Sequence, residues 1–244
     1  MTYCLAIATD EGVVFASDSR TNAGVDYVST FSKMHTFGVE GERQIVLLTA
    51  GNLATSQAVV HLIRRDIDKQ APTHLLNVEY LFEAARYIGA LSQQVQGEHA
   101  EAVSGGGFDV SASFIIGGQI AGQEPQIFLV YPQGNYISAG EETPYLQIGE
   151  SKYGKPILDR LHMVSHLSLE DAARFALLSI DSTMRSNLTV GPPIDLLLYR
   201  LDALSIDHRL RYKANSPYYA ALRKSWNDSL VKTFGVLPRF DWET

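Results

Sequence analysis

Residues Thr2 to Thr9 alternate, with Tyr3, Leu5 and Ile7 on one side and Thr2, Cys4, Ala6 and Ala8 on the other. A period of two predicts a strand, and small side chains line its Thr2 side. Asp10 to Gly12 reads as a turn, and "VVFASDSR" (Val13 to Arg20) as the returning strand of a hairpin. A polar loop, "TNAGVDYVS" (Thr21 to Ser29), leads to "FSKMHTF". "GVEGER" then turns the chain into "QIVLLTAG", which ends at Gly51. This pattern predicts a four-stranded antiparallel meander.

The period then lengthens. Val59, Leu62, Ile63 and Ile67 recur at helical spacing, and Leu81, Ala84, Ile88, Leu91 and Val95 do so again. "SGGGFD" (Ser104 to Asp109) closes this helical pair as a hinge-like loop. Strands resume at "VSASFIIGG", "QIFLVYP" and "YISAG". A third helix starts at Ser168 as N-cap, with Glu170 and Asp171 in its first turn to suit the helix dipole, and runs through Ala172, Ala176, Ile180 and Met184. "PIDLLLYRLD" and "HRLRYKA" read as a last hairpin, followed by a C-terminal segment from Ser216. Strands, two helices, strands, helix, strands, helix is the order of an α+β fold with two antiparallel sheets packed together and helices outside. One domain over residues 1–215 and a C-terminal extension over 216–244 are expected.

Composition narrows the function. With 244 residues and 45% hydrophobic positions, the chain can bury a substantial core. A net charge of −7 and no basic run longer than "IRR" argue against nucleic-acid binding. One cysteine, Cys4, permits no internal disulfide and no CxxC motif, and it is expected to be a small core residue. No apolar run is long enough to span a bilayer, and the N-terminus lacks the basic and apolar regions of a signal peptide, so a cytoplasmic location is the default.

Candidate chemistry starts at Thr2. It is either the first residue of an edge strand or, once Met1 is removed, a residue carrying a hydroxyl and a free α-amine together. Such an amine has a reference pKa of about 7.7–8.0, well placed for a general base at neutral pH, and it can activate its own hydroxyl. Asp18 lies on the strand that pairs with the Thr2 strand. Lys33 interrupts a strand, where a cation needs a partner, and Asp18 would supply one. An ammonium there would also depress the α-amine's pKa by like-charge repulsion and favour an alkoxide on Thr2. "TAGNLA" (Thr49 to Ala54) runs from a strand into a helix, and a free N–H at such a junction stabilises an oxyanion. Gly51 would let a substrate carbonyl approach closely. His162 and His166, four apart without a third ligand, predict an ordinary surface or end-of-helix role rather than a metal site.

Thr2 after Met1, "ASDSRT" (Ala16 to Thr21), Lys33 and "TAGNLA" together resemble a proteasome-type β subunit of the N-terminal-nucleophile hydrolase superfamily, over most of the chain to about residue 200. The start without a propeptide is similar to the peptidase of the two-component bacterial protease. The C-terminal segment fits better the bacterial ancestral β-subunit branch, Anbu. This resemblance implies a four-layer αββα sandwich, Thr2 as nucleophile, Asp18 and Lys33 as its tuning pair, the Gly51 amide as oxyanion donor and Arg20 as a support near Asp18. It implies no metal or organic cofactor, a peptide or protein substrate, and a homo-oligomeric ring or related multimer in which the segment after Ser216 packs on a neighbour. An unfoldase partner is left unspecified. In "QIGESKYG", Glu150 and Ser151 depart from the family's serine-containing glycine turn. The family's Asp-x-x-Ser element maps to Asp181, with Met184 in place of the serine. Threonine peptidase activity is the leading reading; an amidase acting on a small amide and a non-catalytic assembly subunit are the alternatives.

Overall fold

Both faces of the first strand are buried, and this dictates a stack of layers. A computed structural model describes residues 2–22, 28–102, 109–164, 166–206 and 208–243. In chain order, β1 (Tyr3–Thr9) and β2 (Gly12–Asp18) form a hairpin, and β3 (Arg20–Asn22) and β4 (Val28–Thr30) a short ribbon. Next come β5 (Met34–Val39), β6 (Arg43–Gly51), α1 (Leu53–Asp68) and α2 (Leu81–Ala102). They are followed by β7 (Ala112–Ile120), β8 (Gln126–Val130), β9 (Tyr136–Ser138) and β10 (Tyr145–Gly149). The chain then forms α3 (Lys155–Leu158), a 3₁₀ turn (Leu161–Met163), α4 (Leu169–Ser186), β11 (Ile194–Arg200), β12 (His208–Tyr212) and α5 (Pro217–Gly235).

One five-stranded antiparallel sheet has the order β10-β1-β2-β11-β12, the other β5-β6-β7-β8-β9. The alternation of β1 sorts its residues as expected. Tyr3, Leu5 and Ile7 pack with Ala172, Ala176 and Ile180 of α4, while Cys4 and Ala6 pack with Val46, Leu48 and Ile115 of the other sheet. The Thr2 side is small because a second sheet covers it. On the outer face of that second sheet, Val59 and Ile63 of α1 and Leu81, Ala84, Ile88 and Val95 of α2 complete the stack. The fold is therefore a four-layer αββα sandwich.

Three local expectations need correction. The first strands do not form one meander: β1 and β2 belong to one sheet and β5 and β6 to the other. Periodicity identifies strands but not the sheet they join, and the segment after Asp18 carries the chain across the sandwich. Lys33 lies in the irregular segment between β4 and β5, not within a strand. β10, absent from the expected elements, pairs with β1 from Tyr3↔Gly149 to Ile7↔Tyr145. The expected hinge at Ser104–Asp109 lies outside the described residues apart from Asp109. Ser168 does cap α4, its hydroxyl accepting from the Asp171 N–H at 3.1 Å. His162 and His166 are exposed. Among the described residues there is no cluster suited to a metal ion and no helix long and apolar enough to cross a membrane.

Candidate active site

Thr2 sits just before β1, 8% exposed, at the end of an inner strand flanked by β10 and β2. The next N–H, that of Tyr3, donates to Asp18 Oδ1 at 3.0 Å. Asp18 ends β2 and is fully buried. The same Oδ1 accepts from Lys33 Nζ at 2.6 Å, and Oδ2 accepts from the Gly191 N–H at 3.1 Å. Burial pushes the Asp18 carboxyl above its ordinary range, while the Lys33 ammonium and the two backbone donors pull it back. A charge in this position is tolerable only when paired and hydrogen-bonded, and Asp18 is both.

Lys33, 4% exposed, donates a second bond to the Arg20 carbonyl at 2.7 Å. Its own carbonyl accepts from the Thr49 N–H at 3.0 Å, which ties this irregular segment to the end of β6, two residues before Gly51. Arg20 donates to the Leu188 carbonyl at 2.7 Å, so it braces the segment after α4 against the Asp18 end of β2.

Gly51 is exposed at the end of β6 with φ +98°, opposite Ala112. A Cβ there would lie 2.4 Å from the Ser111 carbonyl oxygen, so both conformation and space demand glycine. Asn52 then caps α1, its side chain accepting from the Thr55 N–H at 3.2 Å. The strand-to-helix junction expected at this point is present, with the positive end of α1 beside Gly51.

The Tyr3 N–H, next to Thr2, and Lys33 Nζ thus meet on one Asp18 carboxylate oxygen, and Thr49, two residues before Gly51, is bonded to the Lys33 carbonyl. Cys4 is a buried free thiol whose Sγ lies 3.6 Å from the Thr49 carbonyl oxygen. Burial pushes that thiol well up from its ordinary value, which suits an inert core residue.

Glu150, noted in the sequence as a departure from the family's glycine turn, is joined at Thr2 by Asn187 and Thr189, which sequence reasoning missed. The Thr2 carbonyl accepts from the Glu150 N–H at 2.7 Å. Glu150 Oε2 accepts from Asn187 Nδ2 at 3.0 Å, and Asn187 Oδ1 accepts from the Thr189 N–H at 3.0 Å and its hydroxyl at 2.6 Å. The mapping of an Asp-x-x-Ser element onto Asp181 and Met184 is not reflected in this cluster. Buried Asp181 instead pairs with Arg185, at 3.0 Å, and with Arg223 of α5, while Met184 packs against the core around α4. The turn of "SNLTVG" after α4 brings Asn187 and Thr189 to the site, a position that helical spacing extrapolated beyond Ser186 cannot locate. The signal for β10 was present: "YLQIG" is a short strand pattern ended by glycine.

The proteasome subunit family matches residues 2–197. The proteasome subunit beta of Haloferax volcanii is 24% identical over 217 residues, covering 87% of this chain and 79% of that protein. Among solved structures, Anbu (ancestral beta-subunit) from Yersinia bercovieri is 44% identical with a TM-score of 0.91, covering 98% of this chain and 100% of that one. The helical assembly of the Anbu complex from Pseudomonas aeruginosa is 46% identical with a TM-score of 0.92, covering 99% of both chains.

Proposed function

The chain belongs to the proteasome subunit family, as an Anbu-like member of it, and from that premise we propose that it is a threonine-type endopeptidase whose nucleophile is Thr2, exposed by removal of Met1. The observation that carries this reading is the sharing of Asp18 Oδ1 by Lys33 Nζ and the Tyr3 N–H. It anchors a buried ion pair at the residue that follows the nucleophile. A lysine ammonium has three donors, and two are committed to Asp18 and Arg20. The third is uncommitted among the described residues.

In the proposed reaction the Thr2 α-amine takes the hydroxyl proton as Oγ attacks the substrate carbonyl carbon. The oxyanion is held by the Gly51 N–H and the start of α1. Collapse breaks the C–N bond, and the ammonium returns its proton to the leaving amine. Water then adds to the ester, the amine again acting as base, and the acid product leaves with Thr2 restored. Neither step calls for a cofactor.

Assembly is part of the proposal. Tyr219, 1% exposed, and partly buried Leu222 root α5 on α4 of the same chain. Beyond them Leu230, Val231, Phe234, Val236, Leu237, Phe240 and Trp242 are all exposed, a surface that suits burial against another copy of this chain. The cytoplasm is the proposed compartment, in keeping with a single cysteine that is a free thiol.

The test is intact-mass spectrometry of the purified protein together with labelling by a peptide electrophile. One adduct on Thr2, absent from Thr2→Ala, is the expected result. Met1 retained throughout, or labelling unaffected by the substitution, overturns the reading.

A further inference from the structure

The two edges of the chain at Thr2 have different surroundings. The Tyr3 N–H points to β2, where it meets Asp18, and the Thr2 carbonyl points the other way, to Glu150 after β10. In extended backbone the N–H and C=O of one residue share an edge, so the nitrogen of Thr2 also faces the β10 side. Removal of Met1 therefore leaves the new α-amine on the edge that carries Glu150, opposite the edge on which the Tyr3 N–H meets Asp18.

Glu150 is held for such a contact. Its Oε2 accepts from Asn187 Nδ2 at 3.0 Å, and its Oε1 lies 3.3 Å from the Lys152 N–H. Asn187, 8% exposed, is itself oriented by Thr189. The position is set by backbone as well: the Glu150 N–H is bonded to Thr2, and Gly149 lies against it. Of the other charged groups at this end of β1, exposed Lys152 has no ion-pair partner among the described residues, and the rest are committed elsewhere. Asp18 and Lys33 pair with each other, Arg20 donates to Leu188, and Asp195 of β11 is paired with Arg211 at 2.8 Å. Residues 187–190 contribute no ionisable side chain. Glu150, on the edge toward which the amine is directed, thus carries no cationic partner among the described residues.

We propose that the Glu150 carboxylate, braced by Asn187, is the counter-ion of the Thr2 α-ammonium and so sets the pH at which that amine can act as a base. Glu150 is a positioning residue here; the inference rests on the exposed Thr2 of the proposed function. The Lys33 ammonium, which would lower the amine pKa, has its charge compensated by Asp18, whereas the neighbouring Glu150 carboxylate stabilises the protonated amine, so the free base appears at higher pH than for an isolated N-terminus. The enzyme is held back at neutral pH and released as the medium becomes alkaline.

The experiment compares wild type with Glu150→Gln, which keeps an acceptor for Asn187 and removes the charge. Acetylation of the Thr2 α-amine by acetic anhydride, read by mass spectrometry of the N-terminal peptide across pH, gives the amine pKa without any need for catalysis. The wild-type value is expected about one unit or more above the ordinary range of about 7.7–8.0, and Glu150→Gln is expected to bring it back by about one unit. The pH midpoint of Thr2 labelling by a peptide electrophile should move by the same amount, with melting temperature unchanged. Equal amine pKa values in the two proteins overturn the proposal, as does an intact mass that still includes Met1. A raised, Glu150-dependent pKa without Thr2 labelling at any pH supports the counter-ion and rejects the peptidase. Labelling whose midpoint ignores the substitution does the reverse.

Discussion

Gly149 passes so close to Thr2 that a Cβ on it would lie 1.9 Å from the Thr2 carbonyl oxygen. Its φ of +86° is equally restrictive, because a side chain in that conformation is strained. The close approach lets the next residue, Glu150, bond the Thr2 carbonyl. Gly149→Ala is therefore expected to push the end of β10 away from Thr2, costing about 1–3 kcal/mol of stability from backbone strain alone. Thermal melting and electrophile labelling should fall together. A variant as stable and as readily labelled as the wild type would show that this contact is dispensable.

Lys33→Ala leaves the fully buried Asp18 carboxylate without its cation. Breaking one side of such a pair costs about 3–5 kcal/mol, so a marked drop in melting temperature is expected along with loss of Thr2 labelling. The double variant Asp18→Asn, Lys33→Met removes both charges and should regain most of the stability. Labelling should stay absent. Activity in the double variant would mean that the pair only supports the fold.

His35 gives the protein a predicted acid sensitivity. Burial, with Arg64, Arg209 and His61 nearby, lowers its pKa from 6.5 to about 4. The unfolded chain then binds the proton first, so this stabilisation is complete above pH 6.5 and disappears as pH falls to about 4. Its size is about 3 kcal/mol. Urea unfolding at a series of pH values should show a steeper loss for wild type than for His35→Gln across that window. Identical slopes would contradict the assignment.

The C-terminal extension should divide into two functions at about residue 228. Deleting residues 228–244 removes the exposed apolar side chains but leaves Tyr219, Leu222 and Arg223 on α4. Light scattering should show smaller species, with little change in melting temperature. Deleting residues 216–244 also uncovers the Tyr219 site and takes Arg223 from buried Asp181, so it should destabilise the subunit itself. Loss of about 1.5–3 kcal/mol is expected from the buried aromatic alone. Unchanged assembly after the shorter deletion would place the interface elsewhere.

Much of the fold was legible because its signals are local. Alternation in Tyr3–Ile7 sorted the two faces of β1, helical spacing in Val59–Ile67 and Leu81–Val95 picked out the faces buried under α1 and α2, and Ser168 announced α4. The pairing of Asp18 with Lys33 was also legible, since each is an ionisable residue in a setting that demands a partner. Lys33 was placed in a strand because its apolar neighbours Phe31 and Met34 imitate one. β10 escaped notice because its last residues were read as part of the glycine turn "QIGESKYG" rather than as the end of a strand.

The sequence by itself determined the strands and helices, the core-facing positions and the residues that need partners, because these depend on side chains a few positions apart. Only the tertiary structure decided that β5 and β6 leave the sheet of β1 and β2, and that β10 rather than a nearer strand flanks β1. It alone brought Glu150 and Asn187, 37 positions apart, into a hydrogen bond beside Thr2. Contacts of that kind follow from how layers stack and strands cross, and no local period records them. Thr2 is therefore conspicuous as the start of a strand, while its surroundings come from β2, β10, the segment before β5 and the turn after α4.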